Sequence, residues 1–403
     1  MFNKRVHGRV AYTALMALAL ASSAGAKPPS KNPQPLPSLG TPQQVVQTMA
    51  PAINLGNTLE SLDTWETPPY TVSKETVWGN PAANQEIFNG YAAAGFKSVR
   101  IPVTWTQYTD SNGTIESFWL ARVKQVVDYA RNAGLYVIIN MHNDSGIIPD
   151  YADQASADAK LQSYWTQIAN YFKGYDNHLL FAGTNEIAMP NTYTTPTAEN
   201  CTVQKGFNQT FVNAVRATGG NNASRTLIVQ LYATNIDWGP DTCGEGTMPN
   251  DTIASRLMIE MHWYDPYDFT INSGNTTIWQ WGANATDLAA VETWGNEAHT
   301  RQEYDKAQAD FVSKGVPVIM GEFGAYPKTS GSGAGNETYT NYWAQYNTYS
   351  AVTRGIVPMW WDTGAIIDRN TGAVKDPGLL NSLKNGMTVN PEPANAVGDA
   401  NGN

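Results

Sequence analysis

Residues 117–140, SFWLARVKQVVDYARNAGLYVIIN, hold the reading on which the fold turns. Trp119, Val123, Val126, Val127 and Ala130 recur at the spacing that lines one face of an α-helix. Gly134 can take the left-handed conformation that stops a helix. Leu135-Tyr-Val-Ile-Ile-Asn140 follows as a short β-branched run, the pattern of a strand buried in a parallel sheet. The same order returns later: Tyr304, Ala307, Phe311 and Val312 on one helical face, Gly315 and Pro317 as the stop, and Val318-Ile-Met320 as the strand. Helix, glycine, strand is the grammar of βα units. Strands of this kind are expected near Ala52–Leu55, Ser98–Ile101, Tyr136–Asn140, Leu179–Gly183, Thr226–Gln230, Leu257–Met261, Val318–Met320 and Ile356–Met359. Eight such strands predict a single (β/α)8 TIM barrel. The widest interval falls after the sixth, which places an aromatic-rich loop insertion at about residues 265–299. A doubly wound open sheet is the competing architecture, but no Gly-x-Gly-x-x-Gly or phosphate-binding loop follows any strand.

Outward from these units, residues 1–26 read as a signal peptide, with Lys4, Arg5 and Arg9 ahead of an apolar run and Ala24-Gly25-Ala26 as the cleavage site. Residues 27–42 form a Pro-rich spacer, residues 43–386 the (β/α)8 catalytic domain, and residues 387–403 a disordered C-terminal tail. The protein is therefore expected to be secreted, extracellular or periplasmic, with no membrane attachment once the signal is removed, and to act as a monomer. In an oxidising compartment Cys201 and Cys243, the only cysteines, can form a disulfide. Asn112-Gly-Thr, Asn143-Asp-Ser and Asn284-Ala-Thr match the glycosylation sequon, a motif short enough to arise by chance.

The chain has 403 residues, a net charge of −10 and only 15% charged residues, which disfavours a nucleic-acid partner. Thirteen Trp and twenty Tyr suit a ligand with flat apolar faces and many hydroxyls, although most such rings belong to the core. Five His and two Cys offer little to a metal, so neither metal nor cofactor is expected. No Gly-x-Ser-x-Gly elbow or His-Glu-x-x-His pair indicates serine or zinc hydrolysis.

In a barrel of this type the active site gathers just past the C-terminal strand ends. Those positions hold Gly56-Asn57-Thr58, Arg100, His142, Asn185-Glu186, His262-Trp263-Tyr264, Glu322 and Trp360-Trp361-Asp362. Glu186 and Glu322 supply the two carboxyl groups that glycoside hydrolysis needs. His262 and Tyr264, two apart, share the face that looks into the mouth, and Trp263 turns to the core. Arg100 can stabilise an ionised carboxylate. Trp78, Trp279, Trp281 and Trp294 lie in expected loops and are candidates for stacking on sugar rings.

The stretches INLGNTLE (53–60), ETVWGNP (75–81), GFKSVRIPVTW (95–105), YVIINMH (136–142), TNE (184–186), MHWYDPYDF (261–269), GEFG (321–324) and WWD (360–362) resemble, in this order, glycoside hydrolase family 5, the family of barrel-fold cellulases. The first three, with the insertion after strand six, are most similar to the subfamily-four endo-β-1,4-glucanases, which often also cleave xyloglucan or mixed-linkage glucan. The resemblance implies Glu322 as nucleophile and Glu186 as acid/base. It implies that Asn185 contacts the 2-hydroxyl of the reacting sugar, that Arg100 and Tyr264 position Glu322, that His142 and His262 line the reacting subsite, and that Trp361 is its platform. Three positions depart from the family pattern: Ile187 where Asn-Glu-Pro is usual, Asn143 where a second His is common, and Asp362-Thr363-Gly364 where Asp-Asn-Gly is common.

The expected activity is thus a secreted, retaining endo-β-1,4-glucanase with a β-glucan polysaccharide as partner, its two carboxyl groups about 5–5.5 Å apart. A β-mannanase or xylanase on the same barrel would share the catalytic pair. A non-catalytic carbohydrate-binding barrel would keep the aromatic residues without needing both carboxylates.

Overall fold

The eight runs pair in chain order as parallel strands, and the eighth returns to the first to close a barrel. They are β1 (Ala52–Asn54), β2 (Ser98–Ile101), β3 (Tyr136–Asn140), β4 (Leu179–Ala182), β5 (Leu227–Gln230), β6 (Leu257–Trp263), β7 (Val318–Phe323) and β8 (Ile356–Trp360). The computed structural model describes residues 35–244, 248–331 and 333–393. The helices are α1 (Pro42–Met49), α2 (Gln85–Ala94), α3 (Ser117–Asn132), α4 (Tyr151–Tyr171), α5 (Ala198–Ala217), α6 (Pro240–Cys243), α7 (Tyr267–Thr270), α8 (Glu297–Asp310), α9 (Glu337–Thr353) and α10 (Pro377–Gly386). The fold is a (β/α)8 TIM barrel. None of the described helices is long and apolar enough to cross a membrane.

The α3 unit forms as its sequence directs: the five residues at helical spacing are its buried ones, and Gly134 has φ +82°. α8 ends earlier than its apolar face suggests. Phe311 and Val312 are buried, but the helix stops at Asp310 and a 3₁₀ turn, Val312–Lys314, leads into left-handed Gly315. Between β5 and β6 the long helix is replaced by short turns, and Cys243 at the end of α6 is disulfide-bonded to Cys201 of α5.

Alternation along the strands sorts their side chains into two sets. Val137 and Ile139 of β3, like Val99 and Ile101 of β2, pack outward under the helices. Ala52, Ile138, Leu180, Ile228, Met258, Ile319 and Val357 fill the barrel from within, and Val45, Val46 and Met49 of α1 close its N-terminal end. Higher up, the inward positions turn polar. Asn54, Arg100, Asn140, Gln230 and Glu260 are all fully buried there. The interior is thus an apolar plug carrying a polar layer that supports the mouth.

The expected signal peptide lies outside the described residues, as do residues 27–34 of the spacer and 394–403 of the tail. The end of the Pro-rich stretch is docked rather than free. Leu36 is buried and its N–H donates to Ser224 Oγ, and Arg256 donates to the carbonyls of Leu36 and Pro37. Thr41 caps α1, with Pro42 as its first residue. Beyond α10, Gln345 donates to the Val389 carbonyl and Arg301 pairs with Glu392, so the chain stays on the barrel past residue 386.

Candidate active site

Arg100 is the hub of the polar layer, fully buried on β2. Its Nη1 donates to Glu322 Oε1 at 2.9 Å and to Asn54 Oδ1 at 3.1 Å, its Nη2 donates to Asn185 Oδ1 at 2.8 Å, and its Nε lies 2.9 Å from Glu260 Oε1. Burial works against the guanidinium charge, but Glu260 and Glu322 reverse that, so its proton is held more firmly than usual. Replacing Arg100 by Met would leave both carboxylates buried without their cation, and we expect a loss of about 3–5 kcal/mol in stability, read by denaturant unfolding.

Glu322 sits where β7 departs from regular register against both neighbours, opposite His262 of β6. Such an irregularity re-aims a side chain that plain alternation would place differently. Besides Arg100, Tyr264 Oη donates to Glu322 Oε2 at 3.0 Å, and His262 Nδ1 lies 3.7 Å from that oxygen. Burial pushes the Glu322 carboxyl above its ordinary range, while His262, Arg100 and the Tyr264 bond pull it back. Tyr264 is held well above the usual phenol range by burial and by the charges of Glu322 and Glu186, so it stays a donor.

Glu186 follows β4 and faces the open mouth, its side chain 47% exposed against 7% for Glu322. Its Oε1 lies 2.7 Å from His262 Nδ1. The loop that carries it is braced by the turn after β5. Ala233 N–H donates to the Ile187 carbonyl, and Met189 N–H donates to Tyr232 Oη. One carboxylate oxygen of Glu186, one of Glu322 and a ring nitrogen of His262 lie within 4.8 Å of one another.

His262 is buried among Glu186, Glu260 and Glu322; although burial disfavours its charge, these carboxylates raise it to about 10, which makes it an imidazolium. His142 is the opposite case, held well below its usual value by burial and by the charges on Arg100 and His262. Its neutral ring stacks on Trp361, centroids 5.8 Å apart and planes at 11°. Trp361 can lie against the β1 loop because position 56 is glycine: a Cβ there would meet the indole at 3.1 Å.

All eight residues singled out from the sequence therefore meet at one mouth. Four others were not singled out. Glu260, Asn54 and Asn140 lie in the polar layer, and buried Glu60 accepts from the N–H groups of Asn57 and Thr58. Only Glu260 carried a signal, as a charged residue inside an apolar strand two before His262. Of the four tryptophans proposed for sugar stacking, Trp281 must be withdrawn. It is 1% exposed, packs on Tyr342 and Tyr346, and donates to the Gly295 carbonyl, so it anchors the insertion to α9. Trp78 and Trp294 are exposed and Trp279 is half-buried. Asn143, in the position of the usual second His, donates its amide to the Glu60 carbonyl at 3.0 Å.

Two carboxylates facing each other at the mouth of a (β/α)8 barrel are the pair that glycoside hydrolysis uses. The sequence signature of the family described as Cellulase (glycosyl hydrolase family 5) matches residues 62–365. Endoglucanase A of Paenibacillus barcinonensis is 37% identical over 371 residues, which span 86% of this chain and 90% of that protein. Among solved structures, a Bacteroides ovatus family 5 xyloglucanase in complex with a XXXG heptasaccharide is similar with a TM-score of 0.79 at 37% identity, covering 87% of this chain and 77% of that one. A subfamily-four broad-specificity endoglucanase from Bacteroides salanitronis is similar with a TM-score of 0.79 at 33% identity, covering 88% and 98%. The chain belongs to glycosyl hydrolase family 5, the cellulase family. It is a retaining endo-β-1,4-glucanase.

Proposed function

We propose that this endoglucanase is exported and acts on β-1,4-glucans that include xyloglucan and mixed-linkage glucan, with Glu322 as nucleophile and Glu186 as acid/base. The asymmetry of the pair carries the assignment of roles. Glu322 is buried and bonded through both oxygens to Arg100 and Tyr264, which fixes its approach to an anomeric carbon. Glu186 is half exposed and, among the described residues, its carboxylate hydrogen-bonds to His262 alone, which leaves an oxygen facing the side where leaving group and water come and go.

In the first step Glu322 attacks the anomeric carbon, the glycosidic C–O bond breaks, and the Glu186 proton moves to the departing oxygen. In the second, Glu186 takes a proton from water, the water oxygen bonds to the anomeric carbon, and the ester bond to Glu322 breaks. Asn185, fixed by Arg100, contacts the 2-hydroxyl of the reacting sugar. Trp361, steadied by His142, is the platform beneath it, and Trp78, Trp279 and Trp294 serve outer sugars.

The similarity to a xyloglucanase and to a broad-specificity enzyme supports the substrate range. The leader-like residues 1–26 and the Cys201–Cys243 disulfide support export. Reducing-sugar release from carboxymethylcellulose, xyloglucan, mixed-linkage β-glucan, xylan and mannan tests the range. Activity is expected on the first three. Activity confined to xylan or mannan would overturn the specificity, and binding without hydrolysis would overturn the enzyme.

A further inference from the structure

Beneath the catalytic pair lies a carboxylate that the mechanism does not use. Glu260 of β6 is fully buried. Its Oε1 is 2.9 Å from Arg100 Nε and 3.3 Å from His262 Nε2, and its Oε2 accepts from Gln230 Nε2 at 2.7 Å. The space it occupies exists because the residue before Glu322 is glycine: a Cβ on Gly321 would overlap Glu260 Oε1. The barrel has thus cleared room for an anion directly behind the nucleophile.

Charge balance says what that anion does. Arg100 is cationic, and Glu322 alone would balance it; His262 would then face Glu186, on the open side of the mouth, as its one uncompensated anion. With Glu260 present, two buried anions face one guanidinium, and a second cation is needed. We propose that Glu260 is a positioning residue of this glucanase: from below, it holds His262 as an imidazolium whose Nδ1–H points at Glu186 while Glu322 remains ionised. The charged groups described around the ring come from four strands or their ends. Glu186 comes from the end of β4, Glu322 from β7, Glu260 from β6 and Arg100 from β2, while Gln230 of β5 and His142 beyond β3 are neutral. Burial alone would keep the ring uncharged, and the surrounding carboxylates push it up to about 10. Glu260 itself is drawn down to about 2, because Arg100 and His262 outweigh its burial. An imidazolium donor at Glu186 Oε1 leaves Oε2 as the oxygen that carries the acid proton. Esterification of Glu322 then removes one anion from the cluster and weakens the hold on the imidazolium when Glu186 must turn base.

The inference rests on the roles given to Glu186 and Glu322. The test is the pH dependence of kcat/KM on a soluble glucan for wild type, Glu260→Gln and Glu260→Asp, with folding checked by circular dichroism. In E260Q one anion facing His262 is gone, so the imidazolium loses its proton sooner. The alkaline limb should move to lower pH by about one unit, with kcat/KM at the optimum down about tenfold. E260D keeps the anion but draws it back from Nε2, so its limb should move the same way by less. It carries the test if E260Q does not fold. Profiles that keep the wild-type limbs and fall equally at every pH, or do not change, would overturn the proposal. Failure of the underlying roles would look different, as hydrolysis by Glu322→Ala.

Discussion

Glu322→Ala should reduce hydrolysis of every glucan substrate by on the order of 10⁴-fold or more while the protein stays folded. Removing the nucleophile removes the covalent route, and nothing else at this mouth can replace it. Glu186 stands on the leaving-group side of the sugar, so it cannot serve as the base for a water attacking from the opposite face, as an inverting reaction would require. The substitution leaves Arg100 paired with Glu260, so the fold should tolerate it better than loss of the guanidinium. Initial rates of reducing-sugar release with the variant freed of wild-type contamination give the measurement. A residual rate within tenfold of wild type would remove Glu322 from the reaction.

For Glu186→Ala the expected loss depends on the substrate. On β-glucans, whose leaving sugar needs a proton, the rate should fall by about 10²–10⁴-fold. A 2,4-dinitrophenyl β-cellobioside releases an acidic phenol that needs no proton, so its first step should stay near the wild-type rate. The glycosyl-enzyme should then accumulate, giving a burst of phenol followed by slow turnover, because no base remains to activate water. Azide, a nucleophile that needs no base, should speed turnover and yield the β-glycosyl azide. Equal losses on both substrates, with no burst, would mean that Glu186 only supports the site.

These expectations could be approached from sequence because the strands carry their own signals. Gly134 and Gly315 stop their helices, β-branched runs follow, and the residues just past each run are the ones the barrel presents at its mouth. Glu186, Glu322, His262 and Tyr264 were legible for that reason. Apart from Arg100, the polar layer was not. Asn54, Arg100 and Glu260 come from three strands far apart in the chain, and only closure of the barrel shows that one guanidinium serves two carboxylates. The register irregularity at β7 is likewise a property of paired strands. Trp281 was misread because loop position was taken to mean exposure, whereas the insertion folds back and buries that indole on α9. The docking of Leu36 escaped notice because a Pro-rich run has no periodicity, and its partners Ser224 and Arg256 lie on the far side of the sequence.

A covalent bond between Glu322 and the sugar is the central step of the mechanism, and it can be seen directly. A 2-deoxy-2-fluoro-β-cellobiosyl fluoride slows both steps by destabilising positive charge at the anomeric carbon, and its good leaving group lets the first step proceed, so the intermediate persists. Mass spectrometry of the intact protein should show one added fluorocellobiosyl unit, and peptide mapping should place it on Glu322 within GEFG, residues 321–324. Label on another carboxylate, or no label while the compound is turned over to the α-anomer, would contradict the account.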